Sequence, residues 1–528
     1  MKIRIPANIP ERSIRIQKQS CVTAAVTWAI GIYILGSYLL SLFYHCQFQR
    51  VHVFSPDNVN LAATIVSFLV FGSGFTMLFI IPGWIFSLHF RKLQNDWPVF
   101  LGVSFLSSIL ICVLGSTIYK IIWPGALHKI NFLGLMILLI IFELMSLSWK
   151  RHKQKQPSDE NFVISLKHAT PYFALIMLAI LFLLTFGQEI LNGAPLAYQY
   201  DEDVILAIPL GQQSDVLEVF GLAHSLRTHL LPYWDLEYAN TFGFVFTDTP
   251  LYPYVALFAT LFFGETHATL SLLSICFIII MFSAVLAQAH PVSKIRFLAC
   301  AGLMLSYLSF LLREPVVFVF LEHFFLLQIL LAYIFLLRKN DALFLLFAAS
   351  ATLTRFYGIF FILLGLCALF IIFNERRKEA RKLLAHYGFI VLSLLLFIIL
   401  MGVGTGNAST YLKCILIEHF NRLDYFSLLS RIYPREVVFH SLPAFSQSVE
   451  FLTWTLSGTL LTFPAFFVFG NDRNEKFYSI ISLVYFALVF ISSYSLPRYV
   501  LPLIPLAALV VSSQWERYRG QRKSEFKP

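Results

Sequence analysis

Of 528 residues, 58% are hydrophobic and only 13% carry a charge. A soluble domain carries about 25% charged residues, so this chain cannot make an ordinary water-facing surface, and its repeated apolar runs of span length are those of a polytopic membrane protein. The net charge of +10 resides in short basic clusters between the apolar runs, the pattern of cytoplasmic loops, which points away from a nucleic-acid partner.

The chain opens on a basic, polar segment, Met1 to Ser20, whose Lys2, Arg4, Arg12, Arg15 and Lys18 are expected to hold it in the cytoplasm. The apolar run behind it is long enough to span, and no cleavable leader is expected. Spans are predicted at roughly 22–45, 61–89, 97–119, 131–148 and 171–190. The turns "RKLQND" and "WKRHKQKQ" then fall inside, and the polar segment from about 191 to 249 emerges outside.

Beyond it, apolar helices near 250–264, 267–289 and 297–312 raise a question of parity. If all three crossed, "HPVSKIR", "RKND" and "NERRKEARK" would lie outside, against the charge rule. The short segment "TPLYPYVALFATLFFG" is therefore expected to lie along the outer surface, or to dip in and return. Further spans follow near 315–337, 341–354, 358–373 and 384–403. A second outer loop occupies about 404–449, with spans near 450–469, 477–493 and 499–513. The total is about fourteen, an even number, as two cytoplasmic termini require. The expected fold is thus all-α, with additional helices on the outer face. Its parts are a four-span N-terminal extension (1–150), a basic cytoplasmic linker (151–168), a transmembrane module (169–513) and a basic cytoplasmic tail (514–528).

Seven cysteines (Cys21, Cys46, Cys112, Cys276, Cys300, Cys367 and Cys414) are scattered, with neither metal-ligand spacing nor a disulfide framework. Chemistry is concentrated instead at the outer face. The stretch "QYDEDVILAIPLGQQSDVLEVF" places Asp201, Glu202, Asp203, Asp215 and Glu218 just outside a span. Carboxylates near hydrocarbon need pairing, hydration or a cation. They suit either abstraction of a proton from an acceptor or ligation of a divalent ion such as Mg²⁺ or Mn²⁺. The alternative is a solvated loop start.

Asp215 and Glu218 are three apart and share a face if "SDVLEVFGLAHSLRTHL" is helical, with Ser214 at the N-cap position. Val216, Val219, Phe220, Leu222, Ala223 and Leu226 then form the apolar side of a helix in the interface. Arg355 and Arg498 interrupt later apolar runs at expected outer ends, where a guanidinium fork suits phosphate oxygens or simply snorkels to the headgroups. In "LLREPVVFVFLEHFF", Glu314 either adds an acid to the site from another helix or pairs locally with Arg313. Glu322 and His323 lie deeper, where they serve either a site or the joining of helices.

The order of these segments resembles the GT-C class of integral-membrane glycosyltransferases. That class includes oligosaccharyltransferase catalytic subunits, protein O-mannosyltransferases and bacterial enzymes that modify lipid A. The similar segments are the acid-bearing first loop running to "LPYWD" and "NTFGF", the proline-rich "DTPLYPYVALFATLFFG", the middle spans around "REPVVFVFLEHFF" and "SATLTRFYGIFFILLG", and the late "LPRYVLPLIPLAAL". The likeness covers roughly 170–513.

The resemblance implies transfer of a sugar from a polyprenyl-phosphate donor to a lipid, glycan or protein acceptor on the outer face of the plasma membrane. By it, Asp215 is the catalytic acid of the first loop, with Glu218 on the same face taken as its partner, while Arg355 and Arg498, with the adjacent Tyr499, bind the donor. The possible metal ligands are Asp215, Glu314, Asp201 and Asp203. A transporter or flippase, and a silent scaffold, are the alternatives.

The topology is testable by thiol labelling. In a cysteine-free background, Gln154→Cys and Lys378→Cys are expected to be shielded from impermeant reagent in intact cells, and Thr228→Cys to react. External labelling at 378 would overturn the non-crossing assignment of 250–264.

Overall fold

The computed structural model describes residues 13–48, 51–54, 61–87, 97–123, 125–154, 161–192, 223, 226–227, 251–264, 266–288, 294–313, 322–355, 358–404, 473–491 and 504–506. They form helices plus one short ribbon. The ribbon pairs β1 (Ser13–Gln17) with β2 (Asn161–Ser165), antiparallel from Ser13↔Ser165 to Gln17↔Asn161. Between the two strands run α1 (Lys18–Phe43), α2 (Leu61–Phe75), a π-helical turn (Thr76–Ile80), α3 (Ile81–Ser87), α4 (Trp97–Ile122) and α5 (Lys129–Gln154).

After the ribbon come α6 (Leu166–Asn192), α7 (Leu251–Phe263), α8 (His267–Leu286) and α9 (Lys294–Arg313). They are followed by α10 (Glu322–Leu337), α11 (Asp341–Thr354), α12 (Gly358–Ile372), α13 (Arg377–Gly404) and α14 (Arg473–Ile491).

Five stretches among the described residues are long and apolar enough to cross a membrane: Ala24–Phe43, Leu61–Ser87, Val99–Ile122, Lys129–Ser146 and Ala268–Leu286. Gly358–Ile372 and Asn374–Leu396 pass the same test only jointly and meet at a bend of 119°. Thr170–Thr185, Arg296–Leu308, Glu322–Leu337 and Asp341–Thr354 are apolar but shorter. The expected span at 450–469, most of that at 499–513, the second outer loop and nearly all of the first lie outside the described residues. Four span-length helices separate β1 from β2, and an even number of crossings is what their pairing on one side requires.

Hydrocarbon offers no partner to a backbone N–H or C=O, so each irregularity in a helix must be answered by a neighbour. The α2–α3 rod shows this. Pro82 has no N–H to give to Leu78 O, four residues earlier, and the π-turn lies just ahead of it. The thiol of Cys112 on α4 approaches Leu78 O at 3.7 Å, while Gly83 N donates to Ser108 Oγ at 2.7 Å. A Cβ at Gly83 would stand 1.7 Å from Ser104 O, so the closeness of α3 to α4 depends on glycine there.

Helix α7 covers the short segment on which the parity question turns. All thirteen residues are buried, so the helix is enclosed by protein rather than laid on an open surface. Its last carbonyls have no partner within the helix, and two find one elsewhere: Phe262 O accepts from Tyr33 OH at 2.8 Å and Phe263 O from Val53 N at 2.8 Å. Aromatic contacts hold its length, with Phe258 stacked on Phe132 at 4.8 Å, Phe262 on Tyr33 at 4.9 Å, and Phe263 against Phe71 at 4.8 Å. Tyr254 lies under Lys120, 5.0 Å from its ring. Helices before and after the basic linker share this core, as Phe105 of α4 also meets Phe277 of α8 at 5.0 Å and Phe324 of α10 at 6.2 Å.

At the other end of the bundle the turns carry paired charges. Arg338 donates to Gln288 at 3.1 Å, Arg376 to Leu336 O at 2.8 Å, and Arg473 pairs with Glu375. Arg376 also donates from Nε to Glu379 at 2.8 Å, and that hydrogen bond holds the Glu379 carboxyl below its ordinary range.

The close helix crossing generates a paired prediction. Gly83→Ala forces backbone apart and is expected to destabilise the protein by about 2–3 kcal/mol. Gly72→Ala adds a methyl where no heavy atom lies within 4 Å and is expected to be neutral or stabilising, by up to about 1 kcal/mol. Melting in detergent separates the two, and equal melting temperatures would refute the crossing.

Candidate functional site

The α10–α11 hairpin turns at Arg338–Asn340, with Lys339 at φ 57° and the Asn340 side chain accepting from Leu343 N to start α11. Residues nearly equally distant from this turn come level across an antiparallel hairpin, and Glu322 and Arg355, 16 residues before Arg338 and 15 after Asn340, are such a pair. Glu322 opens α10, where the helix dipole favours an anion, and Arg355 caps α11 at its C-terminal end, where the dipole favours a cation.

Arg355 Nη2 lies 3.0 Å from Glu322 Oε1, with the side chains 11% and 4% exposed. The contact is close but not aligned as a hydrogen bond, and Glu322 Oε2 has no hydrogen-bond partner among the described residues. The pair is therefore held by charge, leaving carboxylate lone pairs for an incoming donor.

The backbone around Arg355 is built to hold it. Arg355 is extended (φ −147°, ψ 132°), its N–H donates to Ala351 O at 2.9 Å, and its carbonyl accepts from Gly358 N at 2.8 Å. A Cβ at Gly358 would meet Ala351 O at 2.9 Å and Phe325 at 3.1 Å, so only glycine lets α12 begin this close to the last turn of α11. Thr354 donates back to Ser350 O, and Thr352 meets Tyr387 of α13 at 2.5 Å, fixing α11 against α13.

Beside Glu322, His323 is fully buried, and its Nδ1 lies 2.8 Å from the hydroxyl of Tyr307 on α9. Phe324, next in sequence, packs against Tyr252 of α7 at 6.2 Å. Four helices thus supply a carboxylate, a guanidinium, an imidazole and two phenols to one region of an apolar bundle. Chemically the group can bind an oxyanion through Arg355, accept a hydroxyl proton at Glu322, or exchange one for the other.

Of the residues given a catalytic, donor-binding or metal role from the sequence, Arg355 is the one described; Glu322 and His323, also noted there, are described as well. Asp201, Asp203, Asp215, Glu218, Glu314, Arg498 and Tyr499 lie outside the described residues. Of the expected amphipathic loop helix, Ala223 and Leu226 are buried as its apolar side requires. Leu226 O accepts from Lys120, and Arg227 O accepts from Leu127 N at 2.8 Å, seating this loop on the α4–α5 turn. His323 joins two helices, one of the two roles open to it. The Glu322–Arg355 pair was not anticipated, although its signal was present in two opposite charges placed symmetrically about "RKN". Tyr307 and Tyr252 carried no signal, being aromatic residues in apolar runs.

Among the described residues no three histidine, cysteine or acidic side chains converge as a metal site, and the carboxylates expected as ligands all lie outside them. The chain matches no protein-family model, no curated protein and no solved structure.

Breaking a buried ion pair leaves an uncompensated charge and costs about 3–5 kcal/mol. Glu322→Gln and Arg355→Gln are each expected to lower detergent stability by that order, and the double variant to recover most of the loss. Additive losses in the cycle would show that the two charges do not support one another.

Proposed function

We propose that the chain is an integral-membrane glycosyltransferase. In this reading it crosses the plasma membrane about fourteen times in a GT-C-like arrangement, with both termini cytoplasmic. It moves a sugar from a polyprenyl-phosphate donor to a lipid, glycan or protein acceptor on the outer face. The observation that supports it most directly is Arg355 held 3.0 Å from Glu322 at one end of the bundle.

A lipid phosphate departing from a sugar needs positive charge where negative charge develops. A buried arginine kept only for that purpose would be unstable before the donor arrives. Glu322 compensates it in the meantime, and the donor phosphate takes its place. Arg498 and Tyr499 belong to the same donor site, Asp215 with Glu218 to the acceptor side. Asp201, Asp203 and Glu314 are the further carboxylates that could hold a divalent ion beside Asp215. No step here depends on that ion.

The same pair favours a second reading, transport of an anionic or lipid-linked substrate, because compensated charges within a bundle also line transport paths. The two differ in whether a covalent product forms.

The test is mass spectrometry of cell-envelope glycolipids and glycoproteins with and without the gene, complemented by variants. A sugar-bearing species is expected to vanish on deletion and to return with the wild type. Asp215→Asn is expected to abolish it at normal expression, since loss of a general base typically costs about two to four decades in rate. Arg355→Ala and Arg498→Ala are expected to reduce it by about one to two decades, the worth of a charge-assisted hydrogen bond to a desolvated anion. Asp201→Asn and Asp203→Asn should have smaller effects. An unchanged set of linkages, with a lipid-linked sugar accumulating on one side of the membrane, would establish the transport reading instead.

A further inference from the structure

At the bundle end opposite Glu322, the start of α13 carries "RKEARK", residues 377–382. Arg377 and Arg381 both rest on the ring of Phe370 in α12, their guanidinium carbons 5.1 and 5.7 Å from its centre. Arg377 is further fixed by its Nε donating to Phe370 O at 3.4 Å. Two like charges four apart on a helix repel one another, and the nearest carboxylates are engaged elsewhere, Glu379 with Arg376 and Glu375 with Arg473. Lys378 and Lys382 are exposed beside the two arginines and add to the field. Ordinary solvated basic loops let their side chains spread; here an aromatic ring gathers them.

The same helical face continues into apolar surface. Arg377, Arg381, Leu384, Gly388 and Leu392 follow one another at spacings of four, three, four and four, which is one stripe of a helix. Leu384 is 45% and Leu392 64% exposed, and a Cβ at Gly388 would find no heavy atom within 4 Å. From Arg381 to Leu392 the helix rises about 16 Å, roughly half of a hydrocarbon core of about 30 Å. The stripe therefore offers cations at headgroup depth and an open apolar track the depth of one leaflet beneath them.

We propose that this stripe binds an anionic phospholipid, its phosphate held by Arg377 and Arg381 and an acyl chain lying over Leu384, Gly388 and Leu392. The forked donors of two arginines match phosphate oxygens better than point charges do, and the track beneath them selects a lipid over free phosphate. The site is separate from the Glu322–Arg355 centre and does not depend on the function proposed for it.

A photo-crosslinker attached to Gly388→Cys, in a background lacking the other cysteines, reads the occupant directly. In vesicles of equal phosphatidylglycerol and phosphatidylcholine, crosslinks to phosphatidylglycerol are expected to dominate. Each cation near an anionic surface contributes about 1 kcal/mol, or about fivefold. Arg377→Gln with Arg381→Gln is therefore expected to lower the preference by up to about thirtyfold. Excess inorganic phosphate should leave it unchanged. Equal crosslinking of the two lipids by the otherwise wild-type chain would overturn the proposal whether or not the double variant folds. Loss of the preference in inorganic phosphate would show a site for free phosphate rather than lipid, and a preference that survives the double substitution would remove the arginines from it.

Discussion

A carboxylate and a guanidinium buried among apolar helices can persist only as a pair, since each alone forfeits several kcal/mol of hydration that hydrocarbon cannot return. In this protein that constraint falls on Glu322 and Arg355, and much of the surrounding geometry follows from satisfying it. Bringing the two within 3.0 Å sets the level at which α10 begins and α11 ends. Arg355 must leave the helix in extended backbone to present its side chain, so α12 has to restart three residues later, beside the last turn of α11. That restart is possible because Gly358 has no side chain to meet Ala351 O. The opposed dipoles of α10 and α11 support the same arrangement, an anion at one helix start and a cation at the neighbouring helix end.

The same requirement, that nothing polar be left unanswered away from water, explains the less regular parts of the bundle. Helix α7 is short and wholly enclosed, and the carbonyls at its end are taken by Tyr33 and Val53, from parts of the chain about 200 residues earlier. Proline and glycine in α3 would weaken an isolated helix. Here they are answered by Ser108 and Cys112 across a close crossing with α4. In both cases a local departure from helical regularity is tied to a specific neighbour, so the irregular places are also the places where the helices are locked together.

How far this could be read from the sequence depended on which kind of information a feature carries. Helix positions were legible because apolar runs of span length, bounded by charges and prolines, leave few alternatives; the segments expected near 97–119, 341–354 and 358–373 lie close to α4, α11 and α12. Charge parity leads to the expectation that 250–264 does not cross, and its shortness is seen in α7. Its burial was not legible, because a stretch such as "LYPYVALFATLFF" is as apolar in lipid as inside protein. His323 announced a polar contact but not Tyr307 as its partner, since hydroxyl-bearing aromatics in apolar runs are too common to single one out. The ion pair was the reverse case. Glu322 and Arg355 were each noticed, but pairing them requires knowing that the turn at "RKN" makes a hairpin with both residues at nearly equal distance from it. Of the candidate acids and the late Arg498–Tyr499 element, the sequence remains the source, as they lie outside the described residues.

Charge is handled differently at the two ends of the bundle, and the difference has a functional consequence. Near Arg376, itself buried, the Arg473–Glu375 ion pair is exposed, its side chains 58% and 55% accessible. Such pairs contribute about 0–1 kcal/mol and are screened by salt over roughly 8 Å, so they can be formed, broken or exchanged with headgroups at little expense to the fold. At the Glu322 end, among the described residues, the Glu322–Arg355 pair is enclosed, its side chains 4% and 11% exposed. In the function proposed above, an incoming anion replaces that carboxylate, and the exchange is coupled to the conformation of α10, α11 and α12 together. A bundle that keeps its exchangeable charge at one end and its committed charge at the other can be anchored by the first without disturbing the second.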